Sequence, residues 1–302
     1  MFRSASGDRV DAARVTRDAS VHQLVSRLAL RFEMTDGGTR MRVDLQEPPW
    51  RVVRAFEQGN GGALVHLHNV SGGILAGDHL SLEIAAGPGS RAQITSTGAT
   101  RLYRHREGAP SSRQNTKISL AEGALLEYLP DALIPFAGAR HSQRTVIRLE
   151  KHATLFWWEV LAPGRQAMGE IFAFESLRIE TEIRSAMRPL LLESVLLEPA
   201  VRPLSSASRM GDYTHMASFY ACHVGLPSNK WHDLEKQLNQ FAGAQSRPGV
   251  TLWGASTLAS DGVAIRGLSV SAQTLPATLA GFWRIARLFL TGEEPVAPRK
   301  TY

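Results

Sequence analysis

At 302 residues the chain can bury a sizeable core, as one large domain or two modest ones. Its 43% hydrophobic and 21% charged content is that of a soluble globular protein, and no apolar run approaches the ~20 residues of a membrane helix. A net charge of +6 admits nucleic acid, an acidic protein partner or solubility alone, and the single cysteine, Cys222, excludes a disulfide framework and any CxxC motif. A reducing cytoplasm fits that cysteine usage.

The first twenty residues lack a secretory signal's apolar stretch, and Asp8, Asp11 and Asp18 argue against a transit peptide. Residues 1–20 therefore read as a flexible polar tail ahead of a single domain over 21–302. In "LVHLHN", His66 and His68 fall at i and i+2, so a strand would put both imidazoles on one face, with His79 a candidate third. A chance pair on a solvated face is the competing and favoured reading.

"GGILAGDHLSLEI" (72–84) carries Gly72, Gly73 and Gly77 ahead of Asp78. A dinucleotide loop needs G-x-G-x-x-G before a helix, and a P-loop needs Gly-Lys-Ser/Thr; here an acidic residue and a strand follow. A nucleotide is excluded. What remains is a tight backbone crossing that permits positive φ, with Asp78 capping loop amides. The basic stretch 100–117 holds one aromatic, Tyr103, which is too few for a single-strand stacking platform.

From about 60 to 200 the pattern alternates with period two, as in "HLSLEI", "NTKISL", "TVIRL" and "SLRIETEIR". Three segments share one plan, with Leu82/Ile84, Ile118/Leu120 and Ile147/Leu149 as matched pairs at intervals of 36 and 29 residues. Such an imperfect repeat predicts a stacked, β-helix-like body over about 21–225; a sandwich of regular hairpins competes with it. In the C-terminal third, helical spacing predicts α-helices over 227–243, with Ser228 as cap and Gly243 as stop, and over 274–292. The second is apolar on most sides and needs covering, by the sheet or by another chain.

The blocks "SGGILAGDHL", "TSTGATRLYR", "LEYLP" and "GRQAMGE", in that order, together with the ending "GFWRIARLFLTGEEPVAPRKTY", resemble the UreD (UreH) family of urease accessory proteins. The likeness covers roughly residues 50–302. It implies a non-enzymatic, cytoplasmic maturation factor with a β-helical body and a helix pair. Such a factor binds apo-urease and UreF, reaches the GTPase UreG through UreF, and passes Ni2+ transiently with no permanent cofactor. Many members carry a glutamate two residues after the proline of "LEYLP"; this chain has Ala132 there, preceded by Asp131.

A nickel route wants weak, releasable ligands. Within the matched blocks the candidates are Asp78, Glu127, Asp131 and Glu170, with His66 and His68 beside them. Each has a plainer reading. Asp78 caps its loop, Glu127 lies on a solvated strand face, and Glu170 pairs with Arg165. Gly72, Gly73, Gly77, Gly98, Arg165 and Gly169 read as structural motif positions. Trp283, Phe289 and Phe282 on the second helix are the expected UreF face. No GxSxG or HExxH motif appears, so an enzyme is not expected. A β-helical polysaccharide-acting enzyme or lectin is the alternative, disfavoured by only 7% aromatics. Neither nucleic acid nor membrane is an expected partner.

Overall fold

The computed structural model describes residues 23–298 apart from 187. The expected tail, 1–20, lies outside the described residues. Nearly every alternating segment forms a strand, because alternation buries one face of a pleated ribbon and leaves the other in water.

The strands form two sheets. One has seven strands, in the order Pro189–Leu197, Ser176–Ser185, Arg140–Leu149, Ser112–Leu120, His79–Ala86, Val25–Thr35 and Gly38–Gln46. The main path of the second runs Thr251–Thr257, Gly262–Ser269, His215–His223, Thr154–Leu161, Leu125–Leu129, Arg91–Ser96, Ala63–Asn69 and Trp50–Arg51. Between Ala63 and Ser185 the long strands alternate between the sheets, and each pairs in parallel with the strand one pass later. Antiparallel pairs finish both ends of the seven-stranded sheet.

The matched segments pair in the expected register between the second and third, with Leu120 beside Leu149, and two residues off it between the first and second. Ile84 sits beside Ile118, Ile118 beside Ile147, and Ile147 beside Ile183, while Leu82 pairs with Thr116. A two-residue slip leaves every side chain on the same face, so apolar alternation cannot distinguish the two registers. The four isoleucines form a buried column, each 2% exposed or less.

The inner faces of the two sheets make one core cluster. The second sheet buries its other face as well, beneath two helices, α1 (Ser228–Gln245) and α2 (Leu275–Thr291). Sandwiched on both sides, the strand Thr154–Leu161 is apolar without alternation: Phe156 faces the helices and Trp157 the other sheet. Trp158 is half-buried and donates its indole N–H to the Pro130 carbonyl at 2.8 Å.

Three details differ from expectation. Ser228 makes no capping bond; it is the first helical residue, after Pro227, and α1 runs past Gly243 to Gln245. The β structure does not stop near 225, because Thr251–Thr257 and Gly262–Ser269 form a hairpin between the helices. The apolar surplus of α2 is covered inside the chain by the second sheet and α1. Phe282 and Trp283 are 0% and 3% exposed, so neither can offer a face to UreF, and Phe289 is half-buried against the same cluster. The left-handed Gly292 ends α2 as expected.

Candidate functional site

The glycine loop proves to be a crossing. Gly73 passes so close to the strand Thr100–Leu102 that a Cβ there would lie 2.5 Å from both the Arg101 carbonyl oxygen and a Tyr103 ring carbon. The Ile74 amide donates to the Arg101 carbonyl at 2.8 Å, and the Tyr103 amide to the Ile74 carbonyl at 2.9 Å. Gly72 and Gly77 take φ values of +79° and +85°. Asp78 is buried and accepts the Leu75 amide at 2.8 Å, its carboxyl pushed upward by burial. It is a loop cap. Gly98 has open space around its Cα, and Gly169 is the left-handed stop of a short 3-10 turn.

Glu127 lies neither on a solvated face nor along an interior passage. In Leu125–Leu129, the parity of Glu127 is that of Leu125 and Leu129, which face the helices. There it accepts from Arg287 Nε at 2.6 Å, Trp283 Nε1 at 3.1 Å and Gln93 Nε2 at 2.7 Å. Burial pushes its carboxyl up, and Arg287 pulls against that. Arg287, itself 1% exposed, also donates to the carbonyls of Glu293 and Glu294 and so pins the segment after α2. This is a structural lock, missed because it joins residues 160 apart.

Glu170 is likewise committed. Arg165 Nε donates to it at 2.9 Å and the Ala137 amide at 3.1 Å, and the Arg165 pair holds its carboxyl down at about 2. His66 packs edge-on to Phe56, and His68 is held below the usual histidine range by burial and by His66. His79 stands on the other sheet, its ring 2.9 Å from the Asn115 side-chain amide. Among the described residues, no group of three or more His, Cys, Asp or Glu side chains is arranged to hold a metal ion. Cys222 is buried, its thiol pushed up to about 12.

Of the expected acidic candidates, Asp131 lines a cavity. Two cavities lie between the sheets, of about 330 and 70 Å³, and Glu159 lines both. The smaller is polar around Asp131, Gln114, Gln143 and Glu159. Ser96 Oγ donates to Asp131 at 3.0 Å, and Gln143 Nε2 donates to Glu159 at 2.6 Å. Burial pushes the Glu159 carboxyl up to about 7, with Glu193 adding to the rise and Arg266 opposing it. At the mouth of the larger cavity, Arg266 pairs with Glu193 and lies 4.7 Å from the centre of the Tyr220 ring. Sequence reasoning missed Glu159, although it shares the inward parity of Trp157 and Leu161 on an apolar strand. An acidic residue at a core-parity position was the available signal.

This layout is a three-layer β protein in which Asp78, Glu127 and Glu170 are engaged in structure, while Asp131 and Glu159 line the smaller cavity between the sheets. The pattern of the UreD urease accessory protein family spans residues 25–302. A protein named urease accessory protein UreD from Herpetosiphon aurantiacus is 44% identical over 91% of this chain and 96% of its own length. Proteins of the same name from Pseudomonas putida and Halalkalibacterium halodurans are 32% and 31% identical, over 90% and 91% of this chain and 92% and 99% of their own. The chain belongs to the UreD family. It is a urease accessory protein, not a catalyst. No helix among the described residues is long and apolar enough to cross a membrane.

Proposed function

We propose that this chain is a cytoplasmic scaffold and nickel-delivery chaperone that docks apo-urease and UreF, with UreG reached through UreF, during GTP-dependent assembly of the urease metallocentre. The observation that carries this reading is that Glu159 lines both cavities between the sheets and Asp131 lines the smaller one with it. Two carboxylates among amides and hydroxyls hold a divalent ion weakly enough to release it, whereas three or four strong ligands would trap it. Ni2+ is cargo here, not a resident cofactor. Asp131 and Glu159 take over the route first assigned to Asp78, Glu127 and Glu170, which are capped, locked or paired. UreF docking is assigned to outward residues of the helical layer, since Trp283 and Phe282 are internal.

The test is nickel bound per purified urease, from cells expressing the urease operon with this chain, without it, or with E159Q/D131N. Loss of nickel without the chain supports maturation, and loss with the double variant supports the route. Normal loading without the chain overturns the function. Normal loading with the double variant overturns the route alone.

A further inference from the structure

The outward face of the seven-stranded sheet distributes its charge unevenly. On the flanking strands cations and anions neutralise one another: Arg178 pairs with Glu180, Arg184 with Glu182, and Arg31 with Asp44. The two adjacent inner strands, Ser112–Leu120 and Arg140–Leu149, contain no acidic residue at all. Their exposed cations are Arg113, Lys117, Arg144 and Arg148, besides Arg140, which Glu175 holds. Lys117 and Arg144 reach only long contacts, 3.7 Å to Glu83 and 3.9 Å to Glu182. Arg113 and Arg148 have no acidic partner among the described residues.

Register turns these four into a line. Arg113 stands beside Ser142, Asn115 beside Arg144, Lys117 beside Val146, and Ser119 beside Arg148. Cations thus alternate between neighbouring strands, one per outward row. With rows ~6.6 Å apart and strands ~4.8 Å apart, successive charges stand about 8 Å from each other along roughly 20 Å. Carboxylates at alternate positions of an extended chain repeat at nearly the same interval. The face carries no aromatic side chain on these strands, so it offers no stacking platform for bases.

We propose that this cationic zigzag is a docking surface for a carboxylate-rich segment of a partner protein, with Arg113 and Arg148 as its open anchor points. The assignment does not depend on the nickel route.

The full chain is titrated with a fluorescein-labelled peptide bearing glutamate at alternate positions, read by anisotropy at low and at physiological salt. R144E/R148E is expected to weaken binding tenfold or more and to flatten its salt dependence. R202E/R209E, in the loop after the edge strand Pro189–Leu197, is expected to stay within twofold. If R144E/R148E does not melt like the parent chain, R113Q/R148Q serves instead, since neither arginine has an acidic partner to lose; it is expected to weaken binding about threefold or more. Equal weakening by the face and loop variants, or none by either, overturns the site. Tighter binding of a single-stranded oligonucleotide, lost in the same face variant, overturns the partner's chemistry.

Discussion

Removing Arg287 is the sharpest perturbation that the helix–sheet contact allows. In R287A, Glu127 keeps Trp283 and Gln93 but loses its cationic partner among the described residues, at 3% exposure. The carbonyls of Glu293 and Glu294 lose their donor as well. Stripping one member from a buried ion pair destabilises by about 3–5 kcal/mol, roughly a fifth or more of a typical domain's total stability. R287M keeps the packing of the stem and should sit near the lower limit. Adding E127Q to R287M removes the stranded charge and should recover at least about 2 kcal/mol, because the cost lies in the unpaired carboxylate rather than in the absence of the pair. Denaturant unfolding of the parent, both single variants and the double variant closes this cycle. Single variants that each lose under ~1 kcal/mol, or a double variant that loses their sum, would refute the lock.

Two further outcomes follow from local geometry. G73A drives a Cβ to 2.5 Å from the Arg101 carbonyl and should lower stability by about 1–3 kcal/mol, whereas G98A, with open space around it, should change it by less than ~0.5 kcal/mol in the same unfolding assay. Glu159 binds its proton more tightly folded than unfolded, so its contribution to stability is full below the unfolded value near ~4.3 and disappears as pH rises through about 7. E159Q should therefore melt like the parent chain at pH 4 and above it at pH 8; equal melting temperatures at pH 8 would show that the carboxylate is solvated.

Much of this protein follows from pattern alone. Period-two alternation specifies strands wherever one face meets water, and helical spacing with a closing glycine specifies α2, because these are properties of a single element. The absence of a phosphate loop was also legible, since Asp78 at that position is chemically incompatible with an anion. The hairpin Thr251–Thr257 and Gly262–Ser269 was not legible by alternation, because Val263, Ala264 and Ile265 form an unbroken apolar run buried on both faces of the sheet.

The partners of the charged groups could not be read in the same way. Glu127 and Glu159 stand on neighbouring strands of one sheet, both within apolar sequence, and nothing local separates their fates. Parity against two different layers separates them. Glu127 turns toward the helices and meets Arg287, while Glu159 turns toward the other sheet and meets a cavity. The isoleucine column shows the same limit, because a two-residue slip preserves the face, and only contact between whole strands selects the register. By itself the sequence determined which residues turn inward. What each of them meets there was decided by packing between layers far apart in the chain.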